Sequence, residues 1–277
     1  MLLGALACLA KQKRVQARIL ILDQCYSTGV EQFCEASSNE QLQFQYVTLP
    51  PCGISRARNE AIRRSEETIV LFTEPDAHPD ALWASYLSDT LGQGAAVAGG
   101  RIVPEFEVLP PIVAKSGLIR DLYSLLDLGG EVKPSEKVVG CNFGINRAQI
   151  NQGEPFFDET YGRARGSLKG GEEVDLCRRV IEGGGKVMYD GRAVVTHLIG
   201  KERCTYLWLI RRIFAAGQSR AQLGGQPNPS NKVGMSWHTL LSLPLYGFYL
   251  LGYLGTKLGG VRSKISGKKG KHGKYGR

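Results

Sequence analysis

The sequence predicts an α/β fold: a Rossmann-like, mostly parallel sheet flanked by helices. Three observations carry that prediction. Short apolar, β-branched runs recur at 18–23, 44–49 and 68–72, and continuous apolar runs of this length read as buried parallel strands. Segments of helical spacing separate them, and strands alternating with helices build βαβ units. The third run, Thr68-Ile-Val-Leu-Phe-Thr-Glu-Pro-Asp76, ends abruptly in two carboxylates. Ligands of open α/β sheets collect beyond the carboxyl ends of such strands.

Taken in order, residues 2–12 look helical and 18–23 form a strand closed by Asp23. A turn at 27–29 and a short helix at 30–38 precede the strand at 44–49, which Pro50 and Pro51 close. Ser55 suits an N-cap, so a helix runs from there to about Glu67 and places Arg58 and Asn59 in its early turns, where backbone N–H groups favour an anion. After the strand at 68–72 come a helix at 79–91 and a strand at 95–103. The rhythm breaks between 104 and 137, the kind of insertion that often carries specificity. A strand at 138–147 follows, then a glycine-rich, basic and mobile loop at 163–171. A helix at 172–182 stops at Gly183-Gly-Gly185. Strands at 186–189 and 193–195 lead to His197, and an amphipathic helix spans 205–223. Residues 224–231 are a Gly/Pro/Asn linker.

The 277 residues suffice for one large α/β domain with an appendage. With 43% hydrophobic and 22% charged residues, the chain is foldable and not disordered. Its net charge of +9 is uneven, because seven Lys and Arg and no acid follow Gly260. A nucleic-acid binder is disfavoured: the tail's only aromatic is Tyr275, and no recognition motif is visible. Seven cysteines, odd in number and without a C-x-x-C pair, support neither zinc nor a disulfide framework. They read as reduced, mostly buried thiols of a cytosolic compartment. The apolar start has no basic n-region, so it reads as an amphipathic helix and not a signal peptide.

Residues 233–256 contain no Asp, Glu, Lys or Arg. A spanning helix needs about 20 apolar residues, but Ser236, His238, Ser242, Pro244 and four glycines dilute this stretch. The stretch is expected to lie in, or dip into, the cytoplasmic leaflet, ahead of a true span or a buried core helix.

Several side chains are candidates for chemistry. On a helix starting near Glu172, Glu173 shares a face with Cys177 and Val180, beside Val174 and Ile181. Glu172, Asp175 and Arg179 form a second face able to pair internally. A carboxylate at a crevice can act as a general base, although acids in a first turn also simply favour the helix macrodipole. Glu74 and Asp76 can share a cation, or serve only in a turn. His197 is a possible metal ligand, while a lone histidine is more often structural. Asp23 at a strand end is weak alone.

In their order, Ile-Leu-Ile-Leu-Asp23, Gly53-Ile-Ser-Arg-Ala-Arg-Asn59, Leu-Phe-Thr-Glu-Pro-Asp76, Gly140-Cys-Asn-Phe-Gly-Ile-Asn-Arg147, Phe157-Asp-Glu159, Gly171-Glu-Glu-Val-Asp-Leu176 and Ala193-Val-Val-Thr-His197 resemble a family 2 glycosyltransferase of the GT-A fold, over about residues 3–220. The resemblance implies an inverting transfer from a nucleotide-sugar donor to a lipid-linked or surface-glycan acceptor. Asp23 would contact the nucleobase, and Arg58 with Asn59 the nucleotide. Glu74 and Asp76 would stand as the D-x-D element on a divalent cation, Mg²⁺ or Mn²⁺, with His197 near the metal and diphosphate. Glu173 would be the base, with Glu172 beside it. Glu74 and Glu173 depart from the family's usual aspartates by a longer arm.

The family also begins with an apolar strand ending in Pro-x-x-Asn, and this chain starts inside the helix that should follow it. The expected organisation is therefore a GT-A domain at 1–224 without that strand, a linker and membrane-associating segment at 225–259, and a basic disordered tail at 260–277. The expected place is the cytoplasmic face of a bacterial-type membrane. The rival reading is a non-catalytic relative that binds a nucleotide or glycan and transfers nothing.

Overall fold

A computed structural model of the chain describes residues 1–150, 156–162, 168–225 and 237–269. Helix α1 (Leu2–Leu9) buries Ala5, Leu6 and Leu9. Strand β1 (Ala17–Asp23), helix α2 (Thr28–Ser37) and strand β2 (Leu42–Thr48) form the first alternating unit. β1 and β2 pair in parallel from Ala17↔Leu42 to Asp23↔Thr48 and make a two-stranded sheet of their own. Helix α3 (Ile54–Arg64) is capped two residues earlier than expected, by Gly53 at φ +79° and not by Ser55. A positive φ is reached most easily by glycine.

Strand β3 (Ile69–Thr73) follows, and a turn closed by Ala77 N–H donating to Glu74 O at 3.0 Å leads into the short strand β4 (Ala77–Pro79). Helix α4 (Trp83–Gly92) and strand β5 (Val97–Phe106) continue the chain. The insertion after β5 holds 3₁₀ turns, a one-turn helix α5 (Gly117–Arg120) and strand β6 (Val132–Pro134). Strand β7 (Asn142–Asn146) is buried throughout. Helix α6 (Glu172–Glu182) has the expected bounds. Strand β8 (Val187–Ile199) is one strand where the sequence suggests two. Its register against β5 jumps between Gly100 and Arg101, skipping 191–193. Asp190 ties that bulge down, accepting from Arg192 and Thr90.

The second sheet has the order β3-β7-β5-β8-β4, with β6 also on β8. It is mixed, which corrects the expectation of a mostly parallel sheet. Only β5–β8 in it is parallel, and β3–β7, β5–β7, β4–β8 and β6–β8 are antiparallel. The cause is the long insertion, which returns the chain reversed between β3 and β5. Phe72, Phe143 and Phe157 fill one side of this sheet, with Phe72 and Phe143 stacked at 4.8 Å.

Helix α7 (Tyr206–Gln222) is capped by Thr205, whose hydroxyl accepts from Trp208 N–H. Helix α8 (Trp237–Lys269) lies against α7. A Cβ on Gly217 would collide with the Tyr249 carbonyl, and one on Gly252 with the Phe214 carbonyl, so glycines set this close crossing. Tyr249 joins the main core. No described helix is long and apolar enough to cross a membrane. The helix runs on to Lys269, where a disordered tail is expected from 260. Residues 163–167 of the expected mobile loop, 226–231 of the linker, 232–236 and 270–277 lie outside the described residues.

Candidate active site

Strand register brings the acids together. Thr73 of β3 faces Asn142 of β7, so the loop beyond Thr73, with Glu74, lies beside Gly140. Ala77 of β4 faces His197 of β8, which sets Asp76 next to the histidine, and Leu198 N–H donates to Asp76 O at 2.7 Å. The turn at 74–77 sends the two acids to different partners. Glu74 and Asp76 would share one crevice on an extended segment, and this segment is a turn.

On one side sits an arginine with three carboxylates. Arg58 Nη1 donates to Glu172 Oε1 and Glu173 Oε1, each at 3.0 Å, while Nη2 donates to Glu74 Oε1 and Gly140 O, each at 3.3 Å. Its guanidinium lies 5.2 Å from the Phe143 ring centroid and 5.6 Å from that of Phe157, within cation–π range. Arg58 is buried. It therefore sits as a counter-charge within the acid cluster. A Cβ on Gly140 would crowd the charged ends of Glu173, Arg58 and Glu74 together, so a larger residue there must displace them. Asn59 is committed elsewhere: it donates to Phe157 O at 2.8 Å and accepts from Phe157 N–H at 3.0 Å. That two-way clamp holds the loop after β7.

The faces of α6 differ from those expected. Glu172, Asp175, Leu176, Cys177 and Val180 are buried, whereas Val174 and Ile181 are exposed. Glu172 turns to Arg58 and Asp175 to Arg178 and Arg179, each at 2.8 Å. The side chain of Glu173 is 14% exposed against 4% for Glu172. Burial, then the charge of Glu173, pushes the Glu172 carboxyl up to about 7, against the pull of Arg58. Three carboxylates on one guanidinium leave an excess of negative charge, so one of them holds a proton cheaply. Glu172 Oε2 has no hydrogen-bond partner.

On the other side, Arg203 Nη2 donates to Asp76 Oδ2 at 2.9 Å, and His197 Nε2 lies 3.5 Å from the same oxygen. Burial raises the Asp76 carboxyl, but the His197 hydrogen bond and the charges of His197 and Arg203 outweigh it, and the group lies below its ordinary value. Arg203 is not among the residues that the sequence singles out. A buried acid needs a cation nearby, and Arg203, six residues past His197, is close enough in sequence to have been a candidate.

Asp76 Oδ1 and His197 Nδ1 are buried with no hydrogen-bond partner. A bare carboxylate oxygen suits a hard cation that keeps other ligands from a diphosphate, so Asp76, with His197 once its ring has lost its proton, fits the implied ion. Glu74, held by Arg58, does not join them, and among the described residues no three His, Cys, Asp or Glu side chains converge as a metal site. Asp23 is half-buried at the end of β1, and its two oxygens accept from Cys25 N–H and Tyr46 OH, each at 2.9 Å. Burial pushes the Cys177 thiol up to about 12 and Cys141 well above its usual value, so neither is a thiolate. Cys34 is the third buried cysteine, and Cys25 is exposed.

A cavity of about 290 Å³ opens beside Glu74, Glu172 and Glu173. Val138 and Val139 line one side, and Ile213, Tyr246 and Tyr249 of α7 and α8 the other.

The model of glycosyl transferase family 2 matches residues 1–148. Over 250 residues the chain is 24% identical to the succinoglycan biosynthesis protein ExoM of Rhizobium meliloti (strain 1021), spanning 89% of this chain and 77% of that one. It is 27% identical over 221 residues to the pre-mycofactocin glycosyltransferase of Mycobacterium tuberculosis (strain ATCC 25618 / H37Rv), covering 77% of this chain but only 43% of that protein. A mannosyltransferase from Pyrobaculum calidifontis, solved with GDP-Man and Mn2+, superposes with a TM-score of 0.53 at 13% identity, over 94% of this chain and 71% of that one. The shared architecture is of the GT-A kind.

Proposed function

The chain belongs to glycosyl transferase family 2, and on that premise we propose that it moves a sugar from a nucleotide-sugar donor to a hydroxyl of a glycan or lipid-linked acceptor, with inversion. The observation that carries this reading is the Glu172–Glu173 pair on Arg58, at the foot of the cavity. The acceptor oxygen attacks the anomeric carbon as its proton passes to Glu173, the more exposed acid. The bond from that carbon to the diphosphate breaks, and its electrons leave with the nucleoside diphosphate. Glu172 beneath holds a proton near neutral pH and, with Arg58, fixes the orientation of Glu173. Arg203 supplies fixed positive charge where the diphosphate departs. A divalent cation held by Asp76 and His197 would neutralise that leaving group.

Asp23 keeps unused lone pairs, with which it would accept from the nucleobase. The GDP-Man and Mn2+ in the Pyrobaculum mannosyltransferase structure support the donor and cation classes. We place the reaction at the cytoplasmic face of the cell membrane, where nucleotide sugars meet a lipid-linked acceptor. The test is release of nucleoside diphosphate from a panel of UDP- and GDP-sugars with Mn2+. Glu173→Gln and Asp76→Asn should each slow release by about 10²–10⁴-fold. Release that survives both substitutions would sink the assignment.

A further inference from the structure

Helix α8 has two faces of different use. Its inner face, with Tyr249, Gly252 and Tyr253 buried, packs on α7 and walls the cavity beside Glu173. Its outer face carries Leu243, Phe248, Leu251, Leu254 and Leu258, from 37% to 65% exposed. At 100° per residue these five fall within about 140° of the helix circumference. Between them the same face holds Pro244, Gly247 and Gly255 and no charged side chain. Scattered surface leucines need no explanation, but a continuous apolar helix face marks an interaction site.

Charge identifies the occupant. Glu202 is the last acid of the chain, and the 75 residues after it hold thirteen Lys and Arg. The earlier residues, with all 26 acids, carry a net negative charge. Lys257 is exposed just past the apolar face, and Arg262, Lys264, Lys268 and Lys269 follow within the same helix. An apolar stripe leading into an acid-free basic run fits a surface that is greasy and negative. From this we infer that the outer face of α8 lies flat in an anionic lipid leaflet, with the basic run on the headgroups.

This inference rests on the proposed transferase reading only in its consequence. The helix that touches lipid also walls the acceptor cavity, so an acceptor tethered in that leaflet reaches Glu173 without leaving it.

The experiment is co-flotation of the full chain with phosphatidylcholine vesicles, and with vesicles that also contain phosphatidylglycerol. The chain should float with the second kind, weakly with the first, and less as salt is raised. Leu251→Ser with Leu254→Ser should cut the bound fraction at least about tenfold with an unchanged circular dichroism spectrum. Lys257→Glu should weaken only the phosphatidylglycerol component. Equal flotation of the double variant, or no flotation of the parent chain, would overturn the inference. So would a concentration-dependent dimer, without vesicles, that the double substitution abolishes, because a second copy would then cover the face. Flotation requires no transfer, so a failed sugar-release assay leaves this result standing, and the reverse holds too.

Discussion

Arg58 Nη1 and Glu172 Oε1 lie 3.0 Å apart across 114 positions of chain. Both side chains are buried, at 7% and 4% exposed. One guanidinium thereby joins α3 to the first turn of α6 and compensates acids that would otherwise repel each other.

Removing that cation leaves Glu74, Glu172 and Glu173 without their shared partner. Breaking a buried pair from one side typically costs about 3–5 kcal/mol, so Arg58→Leu should lose stability of that order. Urea denaturation at neutral pH, compared with the parent chain, is the check. A loss under about 1 kcal/mol would fit a surface pair instead.

The sign of the pH dependence follows from Glu172. Its folded-state value, about 7, lies above the ordinary 4.5. Below 4.5 both folded and unfolded chains hold the proton. Between 4.5 and about 7 the unfolded chain releases it first, so stability falls as pH rises through this window and then levels off. The drop is on the order of 3 kcal/mol at most. Glu172→Gln should flatten that limb in urea midpoints taken across the window, and an unaltered slope would place the proton elsewhere.

A methyl group on Gly140 would land among the charged ends of Glu173, Arg58 and Glu74 and push them from their places. Gly140→Ala should therefore displace the base, with a stability loss of about 1–3 kcal/mol and a loss of about 10²-fold in nucleoside diphosphate release. A variant that kept full release would show that the acids can shift freely.

Asp76→Asn removes the charge faced by both Arg203 and His197. If Asp76 Oδ1 holds the cation, the Mn2+ requirement for release should rise about tenfold or more, as should the dissociation constant for Mn2+ in the presence of nucleoside diphosphate, followed by electron paramagnetic resonance. Glu74→Gln should leave that constant near the parent value, since Glu74 faces Arg58. Equal effects of the two would restore a two-carboxylate site.

Asn59 separates structural from substrate roles. Asn59→Ala strands the Phe157 peptide N–H and C=O, for a stability loss of about 1–3 kcal/mol. The donor KM should stay unchanged when assayed well below the melting temperature. A raised KM with normal stability would return Asn59 to the nucleotide.

Local pattern in the chain is enough to set the helices and strands that depend on near neighbours. The bounds of α6 follow from the glycines at its ends, and the strands β1, β2 and β3 follow from their short apolar runs. The order of the short motifs carried the family. Composition alone marks the acid-free basic end. Which acids meet was decided only by tertiary structure, because Glu74 and Asp76 part at a turn and Arg58 is reached through strand register and helix docking over more than a hundred residues. The buried face of α6 went the same way: helical spacing groups residues, but the neighbour that covers a group is set by packing. The antiparallel entry of β7 depends on an insertion whose path no local pattern encodes. Arg203 became visible only where β4 and β8 pair, since a lone cation after a strand acquires meaning from the carboxylate that long-range contact places beside it.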